Sequence, residues 1–535
     1  MSVPTPLLLR TSGWSGRAVG LVVGAFAVLG QAPFHFWPVT LLSLAVLFAR
    51  LQWASEMDRP GRAGFGTAFW WALGYFAAGV FWIGSAFIER GPEFIPLMPF
   101  MVAGLAMLLA SIWGVAGIFV ARLGGGGLTA VLGFAAVFSV AEFARGHALG
   151  GFPWNLPGYI FEAGSAPSQV ARWITVYGLS TLVLLCAAGL GQALFWRARR
   201  WPIVLAVAPI LALYGIGHAR LANSTVEDVP GVTFRIVSVP FKQSEKMDPV
   251  TSFEIVNDFI RASLAPGLAE VTHVIWPEGA VNGVAMDDES LLRAMGESLV
   301  NAGEVEDATP PVWLFNSLMS ERKQGRLRYY NASVAVTFDA SGDPAIAGSD
   351  RKVKLVPFGE HIPFMDWMED VQVPLISTNL ASISPGPKKR TAQFPGLPPV
   401  SSQLCYEIIF PGFTPPGRDG APDPQWILNQ SNDAWYGRSA GPAQHANQAR
   451  YRAIETGLPV IRAASNGVSG VIDPYGRLRE NNLSARVTYS DATLPKPLKF
   501  HGKGQTIVMM WLLINAMLCV ILSIVQWRGM GPRRI

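Results

Sequence analysis

Charge is scarce in this chain. Only 15% of its 535 residues are Asp, Glu, Lys or Arg, against about 25% in soluble domains. That shortage excludes a purely cytosolic enzyme, a disordered protein and a coiled coil. Cysteine is scarcer still: Cys186, Cys405 and Cys519 are the whole supply, too few for a disulfide scaffold or a four-cysteine zinc site. A net charge of +5 is too small to point to nucleic acid. What is abundant is apolar: half the residues are hydrophobic, and the mean hydropathy is +0.31. Yet 42 Lys+Arg and 37 Asp+Glu are too many for a wholly membrane-buried transporter, so the charge must be concentrated somewhere.

A bilayer span needs about 20 apolar residues. Such stretches recur near 17–33, 36–52, 64–88, 95–121, 128–148, 173–196 and 201–219, and once more near 505–526. Residues 221–503 read differently, with charges, Pro and Gly between short Val/Ile runs. Three segments follow: a membrane domain over 1–220, a polar domain over 221–503, and a last span with its tail over 504–535. The first apolar run, Leu7 to Leu9, is too short for a cleavable signal peptide, and no Ala-x-Ala site follows.

Arginines orient the spans, because cytoplasmic loops carry excess Lys and Arg. With the N-terminus inside, the inside segments hold twelve, from Arg10 and Arg17 through Arg50, Arg59, Arg62, Arg122, Arg197, Arg199 and Arg200 to Arg528, Arg533 and Arg534. The outside loops hold three: Arg90, Arg145 and Arg172. Seven crossings then put 221–503 on the outer face and the eighth returns the tail inside.

Within 221–503 strand-like and helix-like runs alternate. Phe234–Val239, His273–Trp276, Val312–Phe315, Ala332–Phe338, Trp426–Asn429 and Val460–Ala464 read as strands. Phe253–Leu264 reads as an amphipathic helix, and Pro442 opens another that Gly457 stops. Alternation of this kind predicts a layered α/β domain.

Cys405 is the one cysteine outside the apolar stretches, at the end of a strand-like run and opening Cys405-Tyr406-Glu407. A lone cysteine is more often structural than catalytic; as a nucleophile it needs a base or a positive neighbour. Glu278 stands where Pro277 ends a strand, a place where an acid taken alone reads first as a solvated turn residue. Lys352 and Lys354 sit in one basic run, and chemistry alone does not choose between them.

Taken together, Glu278, Lys352 and Cys405 in this order resemble the Glu-Lys-Cys triad of the nitrilase (C–N hydrolase) superfamily. With the apolar spans, the chain resembles that superfamily's apolipoprotein N-acyltransferase branch over nearly its full length. The pieces that carry the likeness are Trp276-Pro277-Glu278, the stretch Leu355 to Glu360, Cys405-Tyr406-Glu407, the stretch Asn432 to Gly437, and Gly441 to Glu455 with Gln444, His445, Arg450 and Arg452. Register on Leu355 to Glu360 selects Lys352 over Lys354. One departure is Met247, after Gln243 and Lys246, where the family often carries an aromatic residue.

The resemblance implies a membrane helix domain of about eight helices with an extracytoplasmic nitrilase-like αββα sandwich, in a bacterial inner membrane and facing the periplasm. It implies acyl transfer from a phospholipid to the α-amine of a diacylated apolipoprotein, through a thioester on Cys405 and with no cofactor or metal. Glu278 would be the base, Lys352 the oxyanion donor, and Glu360, Tyr406 and Glu407 the support. Against it stand a membrane-anchored C–N hydrolase of small substrates, for which eight spans are excessive, and a transporter, which predicts ionisable residues mid-membrane where few besides Glu142 are found. Gly437-Arg438-Ser439-Ala440-Gly441 matches a serine-hydrolase elbow formally, but no strand runs directly into it. The apolar segment 363–383 reads as a lid touching lipid or as a loop over the core.

Overall fold

A computed structural model describes residues 12–124, 126–196, 200–281, 283, 289–302, 310–323, 326–357, 359–360, 383–418, 420–483, 487–500 and 502–529. The chain divides into two compact units. One comprises 1–224, 438–447 and 504–535; the other comprises 225–437 and 448–503.

The first unit is helical: α1 (Gly13–Phe26), α2 (Trp37–Ser55), α3 (Pro60–Gly79), α4 (Ser85–Arg90), α5 (Met98–Leu123), α6 (Leu128–His147), α7 (Ala171–Phe195), α8 (Trp201–Leu221) and, after the other unit, the last helix of the chain, Gly504–Gly529. Among the described residues, seven helical spans are long and apolar enough to cross a membrane, and an eighth is a pair bent by 55° between Gly79 and Phe81. These are the eight stretches expected, save that 64–88 is broken where the apolar pattern gives no sign of it. Helices pack through small residues: a Cβ on Gly64 would overlap the backbone of Gly117, and one on Gly24 that of Trp71. Close backbone approach of this kind is how helices associate in lipid, where apolar surface alone gives no drive.

Arg145, expected in an outside loop, is instead buried within α6. Its guanidinium pairs with Glu142 one turn earlier at 2.5 Å and donates to the carbonyls of Phe152 and Trp154 at 2.6 and 2.7 Å. Trp113 Nε1 donates to Glu142 Oε1 at 2.6 Å. A closed pair of opposite charges explains how two ionisable groups stand in an apolar helix without lining a transport path. Residues 438–447 also belong to this unit. Gln444 Oε1 accepts from the indoles of Trp82 and Trp154 at 3.2 and 2.6 Å, and His445 packs its ring against Trp154. Ser439, in the formal elbow, accepts from Gly441 N–H at 3.1 Å at the start of the following helix.

The second unit contains β1 (Asp228–Ser238), α9 (Pro249–Ser263), β2 (His273–Ile275), α10 (Glu289–Asn301), β3 (Val312–Lys323), β4 (Arg326–Phe338), β5 (Pro344–Arg351), β6 (Val400–Leu404), β7 (Trp426–Asn432), β8 (Val460–Ser465), β9 (Val468–Ile472), β10 (Leu478–Leu483) and β11 (Thr488–Pro495). Helix α11 (Gly441–Thr456) starts in the first unit and ends in this one. The chain's last helix is α12.

Six strands form one sheet in the order β11-β1-β2-β3-β4-β5, and five form a second in the order β10-β9-β8-β7-β6. The centres, β1-β2-β3 and β6-β7-β8, are parallel. Their inner faces share one core in which Phe234, Ile275 and Leu314 of the first sheet meet Val400, Trp426 and Ile461 of the second. Phe259 of α9 and Met295 of α10 cover the first sheet's other face against Trp276 and Trp313. This is the layered α/β sandwich the alternation predicts. The parallel centres also put the C-terminal ends of β2 and β6, with the residues that follow them, at the place where such sheets carry their chemistry.

Candidate active site

Glu278, Lys352 and Cys405 each follow the C-terminal end of a strand, and the structure brings them together. β2 ends at Ile275, and the turn beyond it is fixed by its own bonds. Trp276 N donates to Leu314 O at 2.9 Å, Trp276 Nε1 donates to Ser263 Oγ at 2.8 Å, and Gln430 Nε2 donates to Trp276 O at 2.8 Å. Gly279, at φ +78°, lets the chain reverse directly after Glu278, a conformation that favours glycine.

Lys352 follows β5 and is only 1% exposed. Its Nζ lies 3.1 Å from Glu278 Oε1 and 2.8 Å from Glu360 Oε1. Burial alone would pull the ammonium's pKa down, but the charges of Glu278, Glu360 and Cys405 outweigh it and hold the pKa well above its ordinary value. A buried cation survives only when so paired. Lys354 goes elsewhere, to the face of the Phe410 ring at 4.5 Å, and burial lowers its pKa.

Cys405 opens the tight turn after β6 at φ +43°, a left-handed conformation that costs a non-glycine residue roughly 1–3 kcal/mol. The strain aims the thiol off the strand end. Burial, then the charge of Glu278, push the thiol up to about 12, against the pull of Lys352 and a hydrogen bond with Ser431. At neutral pH it is therefore a thiol, and its use as a nucleophile requires a base at hand.

The supporting acids divide their work. Glu360 Oε1 bonds Lys352, and its Oε2 accepts Val356 N at 2.9 Å. Glu407, fully buried, does not touch the lysine side chain. Its Oε1 accepts the backbone N–H groups of Val353 and Lys354 at 2.7 and 3.1 Å, and its Oε2 accepts Leu404 N at 2.9 Å. One carboxylate thus ties the segment after Lys352 to the segment before Cys405. Lys389, at 3.4 Å, neutralises it. Tyr406 packs edge-on against Phe410.

Sequence reasoning missed four neighbours. Asn331 Nδ2 donates to Glu278 Oε1 at 2.8 Å and to Glu360 Oε1 at 3.0 Å, and Asn316 donates in turn to Asn331 Oδ1. Lys246 lies over the Phe241 ring at 5.2 Å and donates to Gly279 O; burial holds its ammonium down to about 8, with Glu278 pulling the other way. Tyr436 Oη stands 3.9 Å from Cys405 Sγ. Lys246 and Tyr436 lie in stretches that the family likeness singles out, and a polar Asn in the middle of a Tyr/Val/Ala strand is poor strand chemistry; these were the legible signals. Residues 363–382 of the proposed lid lie outside the described residues. Among the described residues, no group of three His, Cys, Asp or Glu side chains is placed to hold a metal ion.

Two family models match the chain, the apolipoprotein N-acyltransferase N-terminal domain over residues 23–189 and carbon-nitrogen hydrolase over residues 268–493. A protein of Caulobacter vibrioides named apolipoprotein N-acyltransferase is 35% identical over 88% of this chain and 86% of its own length. Proteins of the same name from Rhodopseudomonas palustris, at 32%, and Brucella melitensis, at 30%, align over 91% and 96% of this chain and over 90% and 97% of their own lengths. The likeness runs through membrane helices and sandwich alike, and on it this multi-pass membrane protein belongs to the apolipoprotein N-acyltransferase family.

Proposed function

We propose that this chain moves an acyl chain from a membrane phospholipid to the α-amine of an S-diacylglyceryl cysteine that begins an apolipoprotein. The observation that carries this reading is the contact of Lys352 with Glu278 beside the buried Cys405 thiol, in a chain of this family. Glu278 takes the thiol proton as Sγ attacks the ester carbonyl. The ammonium of Lys352 has three N–H donors; two serve Glu278 and Glu360, and the third is available to the developing oxyanion. As the C–O bond breaks, Glu278 returns the proton to the departing lysophospholipid oxygen. The α-amine then attacks the thioester, Glu278 accepts a proton from it, and the thiolate leaves and is reprotonated. Glu360, Tyr406 and Glu407 hold the lysine and cysteine segments in register.

Membrane embedding suits this chemistry, since moving an acyl chain into water costs about 0.8 kcal/mol per CH₂. The arginine asymmetry supports a bacterial inner-membrane orientation with 221–503 in the periplasm and both termini in the cytoplasm. The test is to incubate the purified protein with phospholipid alone. An acyl group accumulates on Cys405, neutral hydroxylamine releases it, and a diacylated lipopeptide with a free α-amine discharges it onto nitrogen. Steady release of free fatty acid, with no acyl-enzyme and no response to lipopeptide, would overturn the reading in favour of a membrane-bound hydrolase.

A further inference from the structure

Resting on the assignment of Cys405 as nucleophile, we propose that the hydroxyl of Tyr436 is a further catalytic group, donating a hydrogen bond to the Cys405 sulfur as it becomes a thiolate. Tyr436 ends the short helical turn Asp433–Tyr436, directly after β7. That strand pairs with β6 in parallel register, so the residues that follow the two strands emerge side by side. The phenol oxygen lies 3.9 Å from Sγ, within reach of a sulfur hydrogen bond. Ser431 and Asp433 hold the turn, with Ser431 Oγ donating to Asp433 Oδ1 at 2.6 Å and Arg462 pairing with Asp433 at 2.7 Å.

The direction of the bond follows from its surroundings. Burial, then the charge that Cys405 carries as a thiolate and that of Asp433, keep the phenol protonated far beyond any working pH. It cannot serve as the base, and it can only donate to an anion beside it. When the S–H bond breaks and Glu278 takes the proton, charge appears on sulfur in a site that burial makes hostile to it. The tyrosine keeps its own proton and shares it with that charge. Lys352 contributes long-range attraction, whereas the phenol contributes a directed bond at the sulfur itself. Once the thioester forms, sulfur is a poor acceptor, so the bond favours the attacking and departing thiolate over the acyl-enzyme.

The test uses the full chain in lipid nanodiscs, with Cys186→Ala and Cys519→Ala so that Cys405 is the only thiol. Alkylation by a small neutral haloacetamide is followed by mass spectrometry between pH 7 and 9. Tyr436→Phe, which removes one oxygen, is expected to lower the rate about tenfold at every pH, the size of a lost hydrogen bond to a charged group, with an unchanged melting temperature. A fluorotyrosine at 436, a stronger donor, is expected to exceed the wild-type rate. Equal or faster alkylation in Tyr436→Phe, or a slower rate with fluorotyrosine, overturns the proposal. Failure of the nucleophile assignment reads out separately, as a Cys405→Ala protein that still turns over.

Discussion

Asn331 Nδ2 and Glu278 Oε1 are 2.8 Å apart, and the same amide nitrogen reaches Glu360 Oε1 at 3.0 Å. Two carboxylates flanking one lysine repel each other, and a neutral donor between them fixes both without adding charge. With Asn331 and Lys352 both on Oε1, the other carboxylate oxygen of Glu278 is the natural acceptor for the thiol proton. Asn331→Leu keeps the volume and removes the donor. The expected result is a fall of roughly 10–10² in kcat with phospholipid KM little changed, since 1.5–3 kcal/mol is typical of a hydrogen bond to a charged group. A KM change with kcat intact would assign Asn331 to substrate binding instead.

Glu278 and Cys405 were legible because each stands at the end of an apolar run, whereas Lys352, inside a basic run, was picked out only by its register on Leu355 to Glu360; the order of the three in the chain carries the family resemblance. Asn331 was legible only as a polar residue out of place in an apolar strand, without a role. It meets Glu278 across 53 positions of sequence, and no local pattern ties the two together. Tyr436 lies in the Asn432 to Gly437 stretch that carries the family likeness, but its place beside Cys405 escaped, because strand pairing and not sequence proximity brings it there. The spans were readable from composition alone, as a bilayer demands. The bend between Gly79 and Phe81 was not, because both limbs are apolar. β5 was missed as well: none of its residues is buried, so it lacks the alternation that marks a half-buried strand.

Glu407→Gln tests the tie between the lysine and cysteine segments. Gln keeps the shape but presents an NH₂ group to a backbone N–H, and it leaves Lys389 with Asp350 as its remaining carboxylate contact. Breaking a buried pair costs about 3–5 kcal/mol. A lower melting temperature is expected together with loss of acyl-enzyme formation. Full activity in a folded Glu407→Gln protein would remove this carboxylate from the positioning role.

The two lysines give a sharp ranking. Lys352→Ala removes the ammonium between Glu278 and Glu360, with an expected loss of roughly 10²–10³ in rate, the cost of removing an oxyanion donor. Lys354→Ala removes a cation from the Phe410 face and is expected to cost less than tenfold, since a partly exposed cation–π contact is worth about 0.5–1 kcal/mol. The reverse ranking, in folded proteins, would move the catalytic lysine by two residues.

Orientation has its own test. Arg145 is neutralised inside α6 by Glu142, and Arg50, expected in an inside loop, is buried within α2; removing one arginine from each side leaves eleven inside and two outside, and the asymmetry stands. A reporter fused after Arg220 is expected to signal from the periplasm and one at Ile535 from the cytoplasm. A cytoplasmic signal after Arg220 would invert the assignment.

The pH dependence of Cys405 follows from its burial. A thiol pushed up to about 12 by desolvation and Glu278 remains protonated far beyond an ordinary cysteine, whose pKa is about 8.5. Its thiolate fraction therefore grows about tenfold per pH unit throughout pH 7–10. Alkylation of Cys405 is expected to climb without a plateau in that range. A plateau near pH 8.5–9 would mark an ordinary, water-exposed thiol and contradict the buried site. Stability carries the matching sign. Between about pH 8.5 and 12 the folded chain keeps a proton that the unfolded chain loses, so this residue's contribution is intact below that window and declines as pH rises through it. Cys405→Ala is expected to flatten that decline, measured as melting temperature against pH from 8 to 10. An unchanged slope would mean that the thiol titrates alike in both states.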